Sequence, residues 1–224
     1  MGQLGRPVDR DEWLSPVTAA NAFAHMTANE IILPAAILQP PYFDPNTDPA
    51  VNHGGIGVTM GHELSHLFDD QGRKFDASGR LAEWWTPRDV ERFTALTDKL
   101  VAQYDAYEPI PGQHIQGALT LGENLADLAG LAVAYDAYHR SLGGKPAPVL
   151  GGTTGEQRFF LGHAQSRRSK HREPALRARL LSDAHAPARE RVWTVRNLDS
   201  WYASYPVGPD QKLYLAPEDR VRVW

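Results

Sequence analysis

The chain has 224 residues, of which 42% are hydrophobic and 22% charged, an ordinary composition for one globular domain. Its net charge of −4 gives no general attraction to nucleic acid or anionic membranes. No apolar run approaches the roughly 18 residues of a membrane span. The N-terminus lacks the apolar core of a signal peptide, and the cellular location is left open. Because there is no cysteine, disulfides and thiolate zinc ligands are excluded, and any metal would be held by histidine and carboxylate.

The predicted elements begin with a β-hairpin made of two extended runs, 17–25 and 30–33. Asn21 and Ala22 lie in the first run, where an exposed strand edge could take up an extended peptide as a further strand. The alternative is a purely structural asparagine in a hairpin. Residues 44–57 are rich in Asp, Pro, Asn and Gly, and they are predicted to form a loop.

The motif H-E-x-x-H follows at residues 62–66. In a helix of about 3.6 residues per turn, His62 and His66 lie one above the other and can hold one metal ion from the same side. Glu63 lies about 100° further round the helix, within reach of a metal-bound water. A catalytic zinc takes three protein ligands and a water, so a third ligand is needed. The apolar side chains are predicted to face the core: Met60, Leu64, Leu67 and Phe68.

A second hairpin is predicted over residues 74–85, and a threonine cap followed by proline begins a helix over about 87–107. Another helix, over about 121–142, carries Glu123 and Asp127 on one face, followed by small residues that permit close helix packing. Two acids at this spacing are ordinarily solvent-exposed. On an otherwise apolar helix they become a candidate third metal ligand, Glu123, and a supporting carboxylate, Asp127.

The C-terminal part is predicted to contain a helix over 156–173, a loop over 182–191, a short strand over 192–195 and a helix over 198–205 capped by Asn197. Basic residues between 167 and 179 could form a nucleic-acid patch, but the acidic net charge favours solvated helix faces. We therefore expect no nucleic-acid partner.

In this order the motifs resemble the neprilysin and endothelin-converting-enzyme family of zinc endopeptidases, especially its bacterial oligopeptidase members. The resemblance covers essentially the whole chain and rests on segments 21–23, 33–41, 61–66, 122–127, 183–187 and 223–224. It implies a mainly α fold with small β-hairpins (α+β), of the thermolysin-like zincin (gluzincin) type. It also implies that residues 1–224 form a single catalytic domain without the family's large N-terminal capping region.

Carried over by position, the family's zinc ligands fall on His62, His66 and Glu123, and its general base falls on Glu63. Asp127 falls where a carboxylate orients the first zinc-bound histidine. The remaining implied roles are oxyanion stabilisation by His185, orientation of that histidine by Asp183, and contacts to the substrate backbone from Arg191, Asn21 and Ala22.

Two departures from the family pattern bear on the cleft. The family usually has Ala-Gln-Val-Trp where this chain has Ala-Gln-Ser-Arg at residues 164–167, a segment that helps to line the pocket after the scissile bond. With Thr59 nearby, we expect a more polar or shallower pocket than one for a bulky apolar residue. Glu190 stands where the family often has an aromatic residue, and this charge could misplace Arg191.

The resulting hypothesis is a zinc-dependent endopeptidase, with one Zn²⁺ per chain, that hydrolyses oligopeptides through a zinc-bound water activated by Glu63. The complete set of ligands favours it. The alternative is a zinc-binding, catalytically weak or inactive truncated module, favoured by the altered pocket and the absent cap.

Overall fold

The computed structural model describes residues 5–7 and 9–223, so Trp224 of the last motif lies outside the described residues. The described chain is mainly helical, and its strands form one two-stranded antiparallel sheet, which confirms the predicted fold class of α with a small β-hairpin. None of the helices in this part of the chain is both long and apolar enough to cross a membrane.

The first hairpin is present but shorter than predicted. Strand β1 (Phe23–His25) pairs with β2 (Glu30–Ile32), and Phe23 lies opposite Ile32. Residues 17–22 are not a strand, since the carbonyl of Val17 accepts from the N–H of Ala36 instead of pairing in the sheet. The second predicted hairpin is also reduced, to a turn closed by a single bridge between Phe75 and Leu81.

The loop predicted over 44–57 is wrong for its second half, which is helical. Helix α1 (Pro49–Asn52), a π-helical turn (His53–Gly57) and α2 (Val58–Ser65) follow one another without a break. The glycines serve close packing here: a Cβ on Gly54 would lie 2.0 Å from the carbonyl oxygen of Phe159, and one on Gly55 would lie 2.4 Å from that of Tyr42. Glycine thus permits contacts that any side chain would block.

Helix α4 (Leu121–Ser141) passes through the centre of the molecule, and α3 (Pro87–Asp105) packs beside it. The predicted start of α3 is confirmed, because Thr86 and Asp89 form a reciprocal capping box. The side chains buried around these helices make the main core, which includes Leu100, Tyr104, Leu125, Leu131, Tyr138 and Phe159.

The predicted apolar face of α2 is wrong. Met60, Leu64 and Phe68 are 46%, 47% and 39% exposed. Helix α2 instead contacts α4 through two glycines, since a Cβ on Gly61 would lie 2.8 Å from the carbonyl oxygen of Gly130. The two helices therefore pack backbone to backbone, and the larger apolar side chains of α2 point away from the contact.

Beyond α4 the structure has α5 (Gly155–Ser166), α6 (Glu173–Ser182), α7 (Ala188–Val192), a 3₁₀ turn (Trp193–Asn197) and α8 (Asp199–Ser204). The helix predicted over 156–173 thus ends at Ser166, and the strand predicted over 192–195 is wrong. Asn197 does not cap α8: its side chain exchanges hydrogen bonds with Gln103 and accepts the N–H of Val221. Tertiary partners outcompete the local cap.

Candidate metal centre

The two histidines of the motif lie one helical turn apart, and their rings meet at the tips. His62 belongs to α2, and His66 follows its last residue with helical backbone angles. The Nε2 atoms of the two rings are 3.0 Å apart, and the rings meet edge-on with centroids separated by 4.6 Å. The i, i+4 spacing therefore brings both imidazoles to one point.

Glu123 reaches the same point from the first turn of α4. Its Oε2 lies 3.2 Å from Nε2 of His62, and its Oε1 lies 3.6 Å from Nε2 of His66. The close glycine contact between α2 and α4 makes this meeting possible. The structure thus brings together the three residues predicted as metal ligands, His62, His66 and Glu123, whose ligand atoms lie within 4.8 Å of one another.

A carboxylate stands behind each histidine. Nδ1 of His62 lies 2.9 Å from Oδ1 of Asp127, and Nδ1 of His66 lies 2.7 Å from Oδ2 of Asp69. Asp69 is itself fixed, since its other oxygen accepts the N–H groups of Gln71 and Gly72. Sequence reasoning found Asp127 but missed Asp69. Asp69 could have been found from its position, because it lies three residues after the candidate ligand His66, on the turn that ends the helix.

This arrangement fits a metal ion. In His66 the hydrogen bond between Nδ1 and Asp69 leaves Nε2 as a lone-pair acceptor, whereas Nδ1 of His62 lies near Asp127 without a hydrogen-bond partner among the described residues, so that either tautomer of His62 can form and one of them presents Nε2 as an acceptor. Oε2 of Glu123 is buried, and no ring nitrogen is aligned to donate to it, so it has no hydrogen-bond partner among the described residues. With both Nε2 atoms as acceptors, a cation placed between them and Glu123 would satisfy all three ligand atoms. Tetrahedral zinc with bonds of about 2.0–2.1 Å separates two ligand nitrogens by about 3.3 Å, close to the observed spacing.

The electrostatics of the cluster favour the charged form of its acids. Burial alone would raise the pKa of Glu123, but contacts with His185 and His62 hold it below its ordinary value. Burial would likewise raise the pKa of Asp127, which Arg191 and Arg167 bring well below its usual range. Both carboxylates are therefore ionised at neutral pH and available to a cation or its ligands.

Glu63 lines the same cleft and differs from the other acids. Its side chain is buried, and burial raises the pKa of its carboxyl group although His62 and His66 oppose the shift. A carboxylate whose pKa is raised toward neutrality is suited to taking and returning a proton. The cleft has a volume of about 660 Å³ and is lined by Glu63 and the three candidate ligands.

The other predicted site residues lie around this cleft. His185 places its Nε2 3.1 Å from Oε2 of Glu123, and its Nδ1 lies 2.9 Å from Oδ1 of Asp183. Asn21 and Ala22 line the opposite wall, immediately before β1. Within the described sheet, β1 has a partner on one edge, so its other edge is open.

Arg191 binds Asp127 beside the candidate ligands, and the adjacent Glu190 does not displace it. Its Nε and Nη2 donate to the two oxygens of Asp127 at 2.6 and 2.7 Å, and Asp127 raises the pKa of Arg191 although burial opposes this. Glu190 is buried and pairs with Arg189. The predicted disturbance of Arg191 by the charge at position 190 is therefore absent from the described structure.

Arg167 belongs to the segment expected to line the pocket, but its contact with Asp127 was not predicted from the sequence. It follows α5, lines the cleft and donates from Nη2 to Oδ1 of Asp127 at 3.0 Å. Two other members of the basic run are paired locally, Arg177 with Glu173 and Arg179 with Asp183. These pairs support solvated helix faces over a nucleic-acid patch.

Comparison with known proteins gives consistent matches. The family model described as "Peptidase family M13" matches residues 21–221. The neutral endopeptidase of Lactobacillus helveticus is 38% identical over 225 residues, covering 100% of this chain and 33% of that protein. Human endothelin-converting enzyme 1 is 43% identical over 194 residues, covering 85% of this chain and 25% of that protein.

The fold is also that of solved structures. The crystal structure of the zinc metalloprotease ZMP1 of Mycobacterium tuberculosis in complex with inhibitor superposes with a TM-score of 0.96 at 49% identity. The match covers 99% of this chain and 35% of that one. This likeness confirms the predicted zincin-type fold. The chain spans between a quarter and about a third of the length of these relatives.

Proposed function

The chain belongs to peptidase family M13, as its motifs suggested, and on this basis we propose that it is a zinc-dependent endopeptidase that hydrolyses peptide bonds of oligopeptides, with one Zn²⁺ per chain. The observation that carries the proposal is the convergence of His62, His66 and Glu123, with a carboxylate beside Nδ1 of each histidine. A zinc ion bound there would supply a water with a pKa near ~7 and would polarise a peptide carbonyl.

The chain's own residues then divide the work. The carboxylate of Glu63 takes a proton from the attacking water and later delivers it to the leaving nitrogen. His185, held by Asp183, donates from its ring to the oxygen that becomes negative as the carbonyl carbon turns tetrahedral. Asp69 holds His66 in its tautomer through the hydrogen bond to Nδ1, and Asp127 lies 2.9 Å from Nδ1 of His62.

Substrate binding is assigned to Asn21 and Ala22, which lead into the hairpin, and to Arg191. An extended peptide can pair with the chain at Asn21 and Ala22, whose amide and backbone groups offer donors and acceptors along the cleft. Arg191 lines the same cleft, so its guanidinium can meet a substrate carbonyl while it remains anchored on Asp127. These contacts suit peptides in an extended conformation.

The alternative is a zinc-binding module that is catalytically weak by itself. The observation in its favour is the length of the relatives, three times that of this chain for the Lactobacillus helveticus protein. The remaining length of such proteins could contribute walls to the cleft. A peptide bound in a cleft without those walls would lose contacts and would be held less firmly for attack.

The proposal is tested with Glu63→Gln. We expect this variant to bind zinc in the same amount as the wild type and to lose cleavage of a quenched peptide by at least about a hundredfold, because the proton acceptor is gone. Zinc is measured by elemental analysis and cleavage by fluorescence, with and without a chelator. Glu91→Gln, at an exposed position on α3, is the matched control.

Full activity of Glu63→Gln would refute the role given to this residue. Zinc-loaded wild type that cleaves no peptide in a broad library would favour the catalytically weak module. Absence of zinc from a protein purified with added zinc would contradict both.

A further inference from the structure

Arg167 brings a guanidinium into the cleft beside the catalytic residues. It follows the last residue of α5, and its side chain is 14% exposed and lines the cavity together with Glu63 and Thr59. The neighbouring Ser166 is turned away, because its hydroxyl donates to the carbonyl of His163 within the helix. Of the two substituted positions in this segment, Arg167 is the one that lines the cleft.

Arg167 keeps most of its hydrogen-bond donors unshared within the described protein, although the carboxylates of Glu123 and Glu63 also interact with its charge. Its one hydrogen bond to the described residues runs from Nη2 to Oδ1 of Asp127. The same carboxylate already accepts two bonds from Arg191 and lies 2.9 Å from Nδ1 of His62. One buried carboxylate therefore faces two guanidinium groups and an imidazole. A guanidinium has five N–H donors, so most of those of Arg167 are left to a ligand or to water.

Burial makes the unshared donors of Arg167 costly. Burial lowers the pKa of Arg167, and the nearby Asp127 only partly offsets the shift. A buried cation with few partners is costly, and an incoming anion would remove that cost.

We propose that Arg167 binds the carboxylate of an acidic side chain of the peptide, at the residue that follows the scissile bond. This inference rests on the proposed peptidase function and names its substrate class: peptides with Asp or Glu at that position. A guanidinium and a carboxylate form paired charge-assisted hydrogen bonds in a fixed planar geometry. A site built around a buried charged donor discriminates strongly against ligands that lack the acceptor.

The test compares two quenched peptides that differ only in Glu or Gln after the cleaved bond. The two side chains have nearly the same shape, so the ratio of their kcat/KM values isolates the charge. We expect the wild type to favour Glu by about tenfold to a hundredfold, the range for a hydrogen bond to a charged group. Arg167→Met should bring the ratio to about one, and Arg167→Lys should give a value between the two.

The control is Arg168→Met, the adjacent arginine on an exposed position, which should keep the wild-type ratio. The ratio of the two kcat/KM values does not depend on the fraction of active protein. It can therefore be measured even if Arg167→Met lowers the zinc content or the folded fraction. The same two peptides are also titrated into zinc-loaded Glu63→Gln protein, where preferential binding of the Glu peptide supports the inference without turnover.

Cleavage of both peptides at equal efficiency by the wild type would overturn the inference and leave the proposed function standing. A preference for Phe or Leu at this position, or an acid preference only before the scissile bond, would also overturn it. If zinc-loaded protein cleaves no peptide in a broad library, the proposed function fails, and equal binding of the two peptides would then dismiss the role of Arg167 as well.

Discussion

At the scale of single residues, the site depends on side chains whose partners determine their charge. His66 illustrates this, because the carboxylate of Asp69 at 2.7 Å fixes which ring nitrogen carries the proton and leaves the other free for a metal. Asp127 lies 2.9 Å from Nδ1 of His62 and also anchors two arginines. A small number of acids therefore organises both the candidate ligands and the cationic wall of the cleft.

His163 is a buried residue with the opposite character. Its side chain is fully buried, neither ring nitrogen has a hydrogen-bond partner in the described structure, and burial lowers its pKa from 6.5 to about 3. In the unfolded chain it takes up a proton below pH ~6.5, whereas in the folded protein it stays neutral down to about 3. Its contribution to stability is therefore complete above the unfolded pKa and is lost as the pH falls through this window.

This predicts an acid sensitivity that His163→Phe removes. Between pH ~7.5 and ~5 the wild type should lose about 2 kcal/mol of unfolding free energy that the variant keeps, because one proton is taken up only on unfolding. Urea unfolding at both pH values measures the difference. Both proteins are measured in chelator, so that protonation of the candidate ligands contributes equally. Parallel pH dependences in the two proteins would contradict the prediction.

At the scale of elements, the decisive feature is the crossing of α2 and α4. A Cβ on Gly130 would lie 2.5 Å from the backbone nitrogen of His62, so the two backbones touch at the level of the candidate ligands. This contact lets Glu123 of one helix meet the histidines of the other. Because backbone atoms cannot move aside as a flexible side chain can, even a methyl group should push the helices apart.

We therefore expect Gly130→Ala to destabilise the protein by about 1–3 kcal/mol and to weaken zinc binding, since the ligand atoms would separate. Gly57→Ala is the matched control: its nearest neighbours would be 3.6 Å away, an ordinary contact, so the change should be close to neutral. Chemical denaturation gives the stability and competition with a chelating dye gives the zinc affinity. Equal behaviour of the two variants would rule out the tight crossing.

At the scale of the whole molecule, the candidate metal centre joins segments that are distant in the sequence. His62 comes from α2 and His66 directly follows it, Glu123 comes from α4 and His185 from the loop before α7, and all four line one cleft. A metal bound at this junction links these segments in the folded state and finds no such site in the unfolded chain. Zinc should therefore stabilise the fold as a whole.

The expected size can be estimated. At a free zinc concentration about a thousand times the dissociation constant, binding adds about 4 kcal/mol, which for a chain of this length corresponds to roughly 8–16 °C in Tm. Differential scanning calorimetry with zinc and with chelator measures this shift. Glu123→Gln should lose most of it, and Glu91→Gln should retain it. A Tm independent of zinc in the wild type would argue against a metal at this junction.

Local rules applied to the sequence predicted a good part of this molecule. The i, i+4 spacing of His62 and His66 follows from the helical repeat, and the capping residues at 86–89 located the start of α3. The order of motifs identified the family and the zincin-type fold, both of which were confirmed. The roles assigned to the site residues remain predictions, although the structure brings those residues to one cleft.

Only the tertiary structure decided the rest, because it depends on contacts between segments far apart in the chain. Glycine-rich residues 53–57 form a helical turn because their backbone packs against Phe159 and Tyr42, and no local pattern reveals those partners. Met60 and Leu64 are exposed because α2 buries its glycine face, and Asn197 binds Gln103 instead of capping a helix. The sequence did not show that Arg167 and Arg191 share Asp127 as their acceptor, because the three residues lie on different segments of the chain.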